Sequence, residues 1–591
     1  MSILGSLQKS TIESLEALFG QTFTEKDFQV NQTKPEFEGD YTVVMFSLVK
    51  SLQQSPDAIG NMLGKHLTEN YPHLFSAYNI IKGFLNLSVA DDYWINLLKA
   101  QYNDICFGKQ PISGKKVMVE YSSPNTNKPL HLGHLRNNFL GWSVAEILKA
   151  NGNTVFKSCI VNDRGIHICK SMLAWQQFAN GATPQSTHTK GDHFVGEYYV
   201  RFNDEYKKEI ASLIAGGMPA ADAEKKAPIM KLTQQMLQDW EAGEPTVMAL
   251  WKKMNGWVYD GFDITYKNIG SDFDKMYYES DTYLLGKDIV QKGLDKKVFY
   301  TKPDGSVWID LSADGLDEKL VLRKDGTSVY ITQDIGLAQQ KYDEYKIDQS
   351  IHVIGDEQNY HMKVLQLICK KMEVPYAEDI HHLSYGMVEL PTGKMKSREG
   401  TVVDADDIVA EMENEAKQKT EELGKVKDFA EHELNELFHT IGLGALKFFL
   451  LRVDPKKKMT FNPAESIDFH GFTAPFIQYN YARIRSVLRK NEFLKDCSIG
   501  TTFLPLEKEL IVSLERYSTV ISQAADELNP SAIALYIYQI AKTFSSFFAE
   551  HSIGNAETEE KKQLRLYLAN MTAIVIKSGM QLLGITVPER M

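Results

Sequence analysis

The stretch KVMVEYSSPNTNKPLHLGHLRNN, from Lys116 to Asn138, contains the strongest structural signal in the chain. Its apolar start predicts a strand, and its end opens a helix that continues through FLGWSVAEILKANG, where Gly152 after Asn151 predicts a C-terminal cap. The run TVFKSCIV then predicts a second strand. A strand, a helix and a strand in succession indicate two parallel strands of a doubly wound sheet. The helix has apolar residues at helical spacing: Leu135, Phe139, Trp142 and Leu148.

The length of the chain requires more than one domain. At 591 residues it exceeds the roughly 250 to 300 residues at which a single hydrophobic core stops growing. We expect a multidomain α/β protein: a small α+β unit over residues 1–110, a Rossmann-like doubly wound parallel sheet over 111–455, and an all-helical domain over 456–591. The segment at about 181–300 is polar and helical without strand and helix alternation, so we expect it to be an insertion into the sheet domain.

Composition narrows the class of protein. Hydrophobic residues make up 43% of the chain and charged residues 24%, as in ordinary globular enzymes. The chain start does not look like a signal peptide, and we expect no membrane span and a cytoplasmic location. A net charge of −12 argues against a protein that coats DNA but allows RNA to bind on local basic faces. No CxxC pair occurs, so we expect no zinc site, no disulfide framework, and buried thiols at Cys106, Cys159, Cys169, Cys369 and Cys497.

Two histidines, His131 and His134, flank Gly133 where the loop after the first strand enters the helix. A helix start offers free N–H groups and positive potential, which favour phosphate, and imidazoles there can donate to phosphate oxygens. The same two histidines can equally form a helix cap or a metal pair. A basic loop, GKMKSREG from Gly393, follows the second half of the sheet. Taken alone, such a loop is more often a solvated turn.

Together and in this order, HLGH and GKMKSREG resemble the HIGH and KMSKS signatures of class I aminoacyl-tRNA synthetases. The loop matches the KMSTR form of the arginine enzymes, with Lys396 where serine is usual and Ser397 where the second lysine of KMSKS stands. In arginine enzymes without that lysine, a lysine just before the HIGH motif is thought to compensate, and Lys128 holds that place. The resemblance implies catalytic roles for His131, His134, Lys128 and Lys394, and ATP contacts from Gly133, His131, His134, His361, Met395, Lys396, Ser397 and Arg398.

The amino-acid pocket must hold a guanidinium, a planar cation with five donors, and therefore needs carboxylates. The resemblance implies that Asn125 and Gln358 hold the α-amino acid end, that Tyr330 and Asp334 face the side chain, and that Glu120 belongs to general substrate binding. Each has a simpler alternative: Glu120 can cap the adjacent helix, and Asp334 can be the N-cap of IGLAQQKY. We also expect the loop of Asp163 and Gly165 to line the same crevice.

Two segments are candidates for RNA contact. FIQYNYARIRSVLRK has an apolar stripe and, on another face, Arg485 and Arg489, a pattern that also fits a plain packed amphipathic helix. With the ending LLGITVPERM, this helix resembles the DALR-type anticodon-binding domain, in which an exposed Tyr479 would stack on bases. GFLNLSV near the start resembles the family's extra N-terminal tRNA-binding domain. That resemblance implies contacts from Phe84 and Asn86, although Phe84 can equally belong to the core.

The resemblance implies an enzyme that joins L-arginine to AMP with release of pyrophosphate and then transfers it to the 3′ end of tRNA(Arg). ATP with its Mg²⁺ would be the only cofactor, the chain a monomer, and tRNA a requirement for activation. The alternatives are another class I enzyme or nucleotidylyltransferase, and an inactive tRNA-binding paralogue. A metal at the HxC pair His167 and Cys169 has little support, since no other ligand pair lies near it in sequence.

Overall fold

The computed structural model describes residues 3–34, 36–389, 403–422, 429–494, 499 and 502–591. The first unit is an antiparallel sheet with strand order β1-β2-β4-β3, and its strands and helices pack around one apolar core. Its elements are α1 (Ile3–Phe19), β1 (Gln29–Gln32), β2 (Tyr41–Val44), α2 (Val49–Leu52), α3 (Pro56–Asn70), β3 (Phe75–Ile81), β4 (Phe84–Val89) and α4 (Asp91–Gln101). Ser55 caps α3 and a proline occupies its first turn, which explains why the helix begins there.

The expected strand–helix–strand unit is present. It consists of β5 (Lys116–Glu120), α5 (Leu132–Ala150), β6 (Thr154–Val161) and α6 (Ile166–Phe178), with β5 and β6 paired in parallel. The last four residues of β5 are all buried, as expected of a central parallel strand that is covered on both faces. Gly152 adopts the left-handed conformation, with φ 85°, just beyond the end of α5, which confirms the predicted C-terminal cap.

A helical excursion follows α6 and returns to the sheet earlier than the sequence indicated. Its helices are α7 (Pro184–Thr187), α8 (Gly191–Ala215), α9 (Ala220–Lys226), α10 (Pro228–Glu241) and α11 (Pro245–Ile269). The next element, β7 (Lys275–Tyr278), already pairs in parallel with β6. The expected insertion at about 181–300 therefore contains a strand of the central sheet. That strand, KMYY, is short and only partly buried, so it has no apolar run to reveal it.

The second half of the sheet follows a small antiparallel sheet of three strands. In chain order the elements are α12 (Glu279–Thr282), α13 (Lys287–Asp295), β8 (Tyr300–Thr301), β9 (Val307–Ile309), β10 (Lys319–Leu322), α14 (Tyr330–Tyr345), β11 (Gln349–Gly355), α15 (Asn359–Lys371), β12 (Ile380–Tyr385) and β13 (Val388–Glu389). The central sheet has the order β12-β11-β5-β6-β7. Strand order therefore reverses between β5 and β11, which is where open parallel sheets place their binding crevice.

After β13 the described chain is almost entirely helical. Its elements are α16 (Ala405–Glu422), α17 (Glu431–Leu451), β14 (Met459–Thr460), α18 (Pro463–Ser466), α19 (Ala474–Arg489), α20 (Pro505–Glu515), α21 (Tyr517–Asp526), α22 (Pro530–Glu550) and α23 (Glu559–Leu582). By length and composition α17 could cross a membrane, but 67% of its apolar window is buried within the protein. Core helices of globular proteins have the same composition.

The α5 helix is buried on nearly every side, because it lies between the sheet and the helices α17, α21, α22 and α23. Its buried set includes polar residues that each hold a backbone segment. The Arg136 guanidinium is fully buried and donates to the carbonyls of Gly386, at 2.6 Å, and Lys457, at 2.8 Å. Ser143 donates to the carbonyl of Leu582 at 2.7 Å. These bonds join α5 to the chain after β12 and to the end of α23.

The thiols follow the sequence expectation in three of four cases. Cys159, Cys169 and Cys369 are buried, and burial raises the pKa of each to about 12. Cys106 is exposed, contrary to the expectation, because it lies in the turns that link α4 to β5 rather than within a packed element. Cys497 lies outside the described residues.

We predict that Arg136→Ala destabilises the protein by about 3 kcal/mol or more, because it leaves several carbonyls without their charged donor and a cavity where the side chain was. Ser143→Ala in the same helix loses one neutral hydrogen bond and should cost about 1 kcal/mol. The measurement is the midpoint of urea-induced unfolding of each variant, monitored by tryptophan fluorescence. Equal midpoints for the two variants would contradict the assigned importance of Arg136.

Candidate active site

The crevice lies at the carboxyl ends of β5 and β11, where the strand order reverses. The HLGH loop leaves β5 there. The turn that contains Gln358 and the first turn of α15 with His361 leave β11 at the same edge. Part of the set implied for ATP and arginine therefore follows two neighbouring strands, although more than 200 positions separate the two groups in the chain: Asn125, His131 and His134 after β5, and Gln358 and His361 after β11.

His131 and His134 form a reciprocal cap at the start of α5. The backbone N–H of Gly133 donates to His131 Nδ1 at 3.1 Å, and the backbone N–H of His131 donates to His134 Nδ1 at 3.2 Å. The cap alternative raised by the sequence is thus correct. It also fixes the chemistry of both rings, because an Nδ1 that accepts a hydrogen bond carries no proton, and the proton must sit on Nε2. Each ring can then donate from Nε2.

The electrostatic surroundings keep both imidazoles neutral. Burial, and then the charge of Lys128, lowers the pKa of His131 to about 4. Burial lowers the pKa of His134 well below its usual value, with further lowering by the charges of His131 and Lys128. The Lys128 ammonium must therefore lie close to both rings. A lysine and two neutral donors at a helix start form a site suited to phosphate oxygens.

The helix start is held to the sheet by polar residues that sequence reasoning did not single out. Asn137 Oδ1 accepts from the backbone N–H of Ser122 at 2.5 Å, and its Nδ2 donates to the carbonyl of Val353 at 2.7 Å. Asn138 Nδ2 donates to Ser122 Oγ at 3.2 Å. The sequence did contain a signal for them, the run RNN just after HLGH. Three polar residues in a row occupy more than one face of a helix that is otherwise apolar, so part of the run must face the core.

The loop between β5 and α5 begins in a strained conformation. Ser122 has φ 78° and Ser123 φ 46°, in the left-handed region that non-glycine residues seldom adopt. Two such residues in succession cost about 1 to 3 kcal/mol each and persist only where the surroundings enforce them. After these two residues the chain runs beside the end of β6, where Asn125 forms an isolated parallel bridge with Asn162. Asn125 is thereby placed at the same strand ends as the HLGH loop.

Glu120 lies below the crevice, and both of its oxygens have partners within the protein. One pairs with the buried Lys341 ammonium of α14, and the other lies 3.0 Å from His352 Nδ1 of β11. Burial alone would raise the pKa of Glu120, but the Lys341 charge and the His352 hydrogen bond hold it well below its usual value. The helix-cap alternative for Glu120 is wrong, since His131 is the N-cap of α5.

Asp334 and His361 meet across the crevice, with His361 Nε2 and Asp334 Oδ2 2.6 Å apart. This bond raises the pKa of His361 above its usual value. Asp334 is not a helix N-cap, because α14 already begins at Tyr330. Tyr330 itself is 74% exposed, and Gln358 is also exposed.

A further acid with an unusual pKa, Glu279, was missed by the sequence reasoning. Burial, together with the charges of Asp163 and Asp334, raises its pKa to about 7, while Arg164 acts in the opposite direction. Glu279 opens α12 directly after β7, so the failure to recognise that strand also hid this residue. Clustered carboxylates that repel one another fit a cationic ligand such as a guanidinium.

We expected Asp163 to line the crevice, but its side chain is buried, with only 1% exposed. Its carboxylate accepts from Tyr259 at 2.9 Å and from Ser280 at 2.7 Å, which ties the loop after β6 to α11 and α12. His167 has its hydrogen-bond partner on the helical excursion. Its Nδ1 lies 3.2 Å from the hydroxyl of Tyr199 on α8. The companion residues Lys394, Met395, Lys396, Ser397 and Arg398 lie outside the described residues.

The two candidate RNA surfaces differ in character. Phe84 is 41% exposed, so the core alternative is wrong for it, and it packs edge to face against the exposed Phe46 with ring centroids 5.4 Å apart. Together with Asn86, which is buried and hydrogen-bonded to Thr42 at 2.6 Å, it lines a cavity of about 240 Å³ that includes Lys34.

On α19 the apolar stripe predicted from the sequence is mostly buried, and only its last member is half-buried: the stripe consists of Ile477, Tyr481, Ile484 and Leu488. Tyr479 is half-buried beneath the Arg483 guanidinium, at 4.7 Å from its ring centroid. Arg485 Nε pairs with Glu589 at 2.7 Å, and Arg489 donates to the carbonyl of the same residue at 3.1 Å. Both arginines therefore hold the C-terminal segment against α19.

Comparison with known proteins gives consistent matches over the whole chain. The family model for the catalytic domain of class I tRNA synthetases (R) matches residues 96–462, the DALR anticodon binding domain matches 477–591, and the arginyl tRNA synthetase N-terminal domain matches 5–89. The arginine–tRNA ligases of Flavobacterium psychrophilum and Bacteroides thetaiotaomicron are 53% and 51% identical to this chain, each over 100% of both chains.

Among solved structures, the arginyl-tRNA synthetase of Thermus thermophilus superposes with a TM-score of 0.80 at 24% identity, covering 99% of this chain and 100% of that one. This likeness supports the fold: a parallel sheet domain, an N-terminal domain and a helical C-terminal domain. The catalytic-domain model covers more than half of the chain, and relatives at about half identity span it completely. The chain belongs to the class I arginyl-tRNA synthetase family.

Proposed function

We infer that this chain is an aminoacyl-tRNA synthetase that activates L-arginine with ATP, forms arginyl-adenylate and pyrophosphate, and transfers arginine to the 3′ end of tRNA(Arg). The observation that carries this inference is the crevice at the β5 and β11 ends. Two neutral imidazoles, His131 and His134, lie at a helix start, Asp334 is bonded to His361 after β11, and the charge of Asp334 acts on the Glu279 carboxyl. The imidazoles at the helix start suit a triphosphate, and the carboxylates suit a guanidinium.

We propose that the phosphates of ATP bind at the start of α5. The Nε2–H groups of His131 and His134 would donate to phosphate oxygens, and Lys128 and Lys394 would supply positive charge as the pyrophosphate leaves. The other ATP contacts in this proposal are Gly133, His361, Met395, Lys396, Ser397 and Arg398. Mg²⁺ enters with ATP as part of that substrate.

The proposed reaction is an in-line displacement. A carboxylate oxygen of arginine forms a bond to the α-phosphorus of ATP, and the bond from that phosphorus to the bridging oxygen of pyrophosphate breaks. A terminal ribose hydroxyl of the tRNA then attacks the arginyl carbonyl carbon and releases AMP. The protein supplies position and charge stabilisation, and no side chain becomes covalently bound.

We propose that the guanidinium of arginine lies between Asp334 and Glu279, with Tyr330 covering it from the exposed side. Asn125 and Gln358 would hold the α-amino and carboxylate end, since they leave the ends of β5 and β11. Glu120, whose oxygens are engaged by Lys341 and His352, would act by holding those two strand ends together. His361 would join the two halves of the site through its bond to Asp334.

For the tRNA, we propose contacts from Phe84 and Asn86 in the first unit and from Tyr479, Arg485 and Arg489 on α19. We propose that the chain divides into three domains, residues 1–110, 111–455 and 456–591, and that the first and last of these bind tRNA. We also propose that the chain acts as a monomer in the cytoplasm and that tRNA must be present before arginine is activated.

The first test is amino-acid-dependent ATP–pyrophosphate exchange by the purified chain with Mg²⁺, across all twenty amino acids, with and without total tRNA. We expect exchange with arginine alone, and only when tRNA is added. Exchange with a different amino acid would overturn the assignment of the acidic pocket. Binding of tRNA without any exchange would favour an inactive paralogue instead.

The raised pKa of Glu279 predicts a pH dependence of arginine binding. Below about pH 7 this carboxyl is largely protonated, and it ionises as the pH rises through that value, so attraction for a guanidinium increases. The KM for arginine should therefore fall between pH 6 and 8, as measured in the exchange reaction. Glu279→Gln should raise that KM about 30-fold or more and remove this pH dependence.

The matched control is Glu378→Gln, an exposed acid of the same sheet domain whose surface pair with Lys370 contributes little. It should leave both the KM for arginine and its pH dependence unchanged. If Glu279→Gln behaved like this control, Glu279 would not contact the substrate.

We predict that Phe84→Ala raises the KM for tRNA about tenfold with little change in the KM for arginine, because stacking of one base on an aromatic ring contributes about 1 to 3 kcal/mol. Ile112→Ala, at an apolar residue that is 86% exposed in the segment before β5, serves as the control. A tRNA affinity that did not differ between the two variants would remove Phe84 from the proposed RNA surface.

A further inference from the structure

The helix α8 of the helical excursion packs directly on the segment that leads into HLGH. Contact is closest at Gly196, where a Cβ atom would lie 2.9 Å from Pro129 Cδ and 3.6 Å from Lys128 Cα. A distance of 2.9 Å is shorter than carbon atoms tolerate, so only glycine fits at this point of α8. The backbone of Lys128 and Pro129 thus rests against a helix that lies outside the central sheet.

Charged residues at the start of α8 make a second connection. Lys190 Nζ donates to Asp192 at 3.0 Å, to Thr265 of α11 at 2.6 Å, and to Asp406 at 2.5 Å. His193 Nε2 lies 3.1 Å from a carboxylate oxygen of Asp404 and 3.4 Å from one of Asp406. The closeness of these two carboxylates raises the pKa of His193 to about 10, so the ring is a cation at neutral pH.

The segment held by this cluster is in turn bonded to the catalytic loop. Asp404 pairs with His131 in an isolated antiparallel bridge, and the backbone N–H of Ala405 donates to the carbonyl of Leu130 at 3.0 Å. The chain from Lys128 to His131 is therefore held on one side by Gly196 and on the other by the segment that His193 and Lys190 fix. A cavity of about 280 Å³ lies between these parts, lined by Lys128, His131, His193 and Asp404 among others.

We propose that α8 is the positioning element of the phosphate-binding site, and that Gly196, Lys190 and His193 are positioning residues for Lys128 and His131. This inference rests on the proposed function, since it assigns a purpose to the helical excursion within that reaction. None of the three residues needs to touch the substrate. They fix the backbone that carries a phosphate-binding lysine and imidazole, and misplacement of such groups by about 1 Å can cost about 100-fold in rate.

The first variant is Gly196→Ala, compared with Gly256→Ala in α11. Both glycines lie within helices of the excursion, so both changes raise helix propensity equally, but a Cβ at Gly256 meets nothing within 4 Å. We expect Gly196→Ala to lower kcat for arginine-dependent exchange tenfold or more and to raise the KM for ATP. The KM for arginine should stay within twofold, and Gly256→Ala should match the unmodified chain in all three quantities.

A second variant keeps the test decisive if Gly196→Ala does not fold. His193→Gln removes the cation between Asp404 and Asp406 but keeps a side chain of similar length, and His188→Gln changes an exposed histidine of the same excursion. The expected result for His193→Gln is again a lower kcat and a higher KM for ATP, with tRNA affinity unchanged. Fluorescence-monitored thermal unfolding checks that the variant is folded at the assay temperature.

The outcomes distinguish failure of the proposed function from failure of the positioning role of α8. If the unmodified chain shows no exchange with arginine and tRNA, the proposed function fails. If the unmodified chain is active, and folded Gly196→Ala and His193→Gln retain its kcat and ATP KM, the positioning role of α8 is overturned. An equal rise in the KM values for ATP and arginine would also overturn it, because it would indicate general loosening of the crevice.

Discussion

Two cap hydrogen bonds at the start of α5, from the Gly133 N–H to His131 Nδ1 and from the His131 N–H to His134 Nδ1, are the constraint on which the rest of the site depends. They satisfy backbone donors that a helix start leaves open, and they hold the proton of each ring on Nε2. A structural requirement of the helix and a chemical requirement of the site are therefore met by the same two bonds. The strained serines before them and the asparagines after them keep that turn at the end of β5.

The same helix connects the crevice to the helical C-terminal part of the chain. Its middle is bonded to Leu582 at the end of α23 through Ser143. The neighbouring Lys447 ammonium of α17 donates to the carbonyl of Gly584 at 2.6 Å, and burial lowers its pKa to about 7. From there the C-terminal segment continues to Glu589, which pairs with Arg485 on α19. The proposed phosphate site and the helix proposed to bind tRNA thus share one continuous set of packed and hydrogen-bonded elements.

Local sequence patterns predicted the parts of the fold whose signals are local. The β5–α5–β6 unit, its cap at Gly152 and the buried stripe of α19 follow from periodicity and capping residues alone. The strand β7 did not, because KMYY has neither length nor an apolar run. Contacts between residues far apart in the chain could not be predicted from local patterns either. The pairing of Glu120 with Lys341 spans 221 positions, and that of His193 with Asp404 joins the excursion to the chain after the sheet. Family resemblance named Asp334 but did not reveal Glu279, whose pKa the charge of Asp334 helps to raise.

The pairing of Glu120 with Lys341 and His352 also has a consequence for synthesis on the ribosome. At about 5 to 20 residues per second, the 221 positions between Glu120 and Lys341 take about 10 to 45 s to translate. During that time β5 lacks its neighbour β11, so an apolar strand has one open edge and its terminal carboxylate has no counter-charge. The first half of the sheet must therefore wait as an incomplete nascent intermediate, and the excursion between β6 and β7 lengthens that wait.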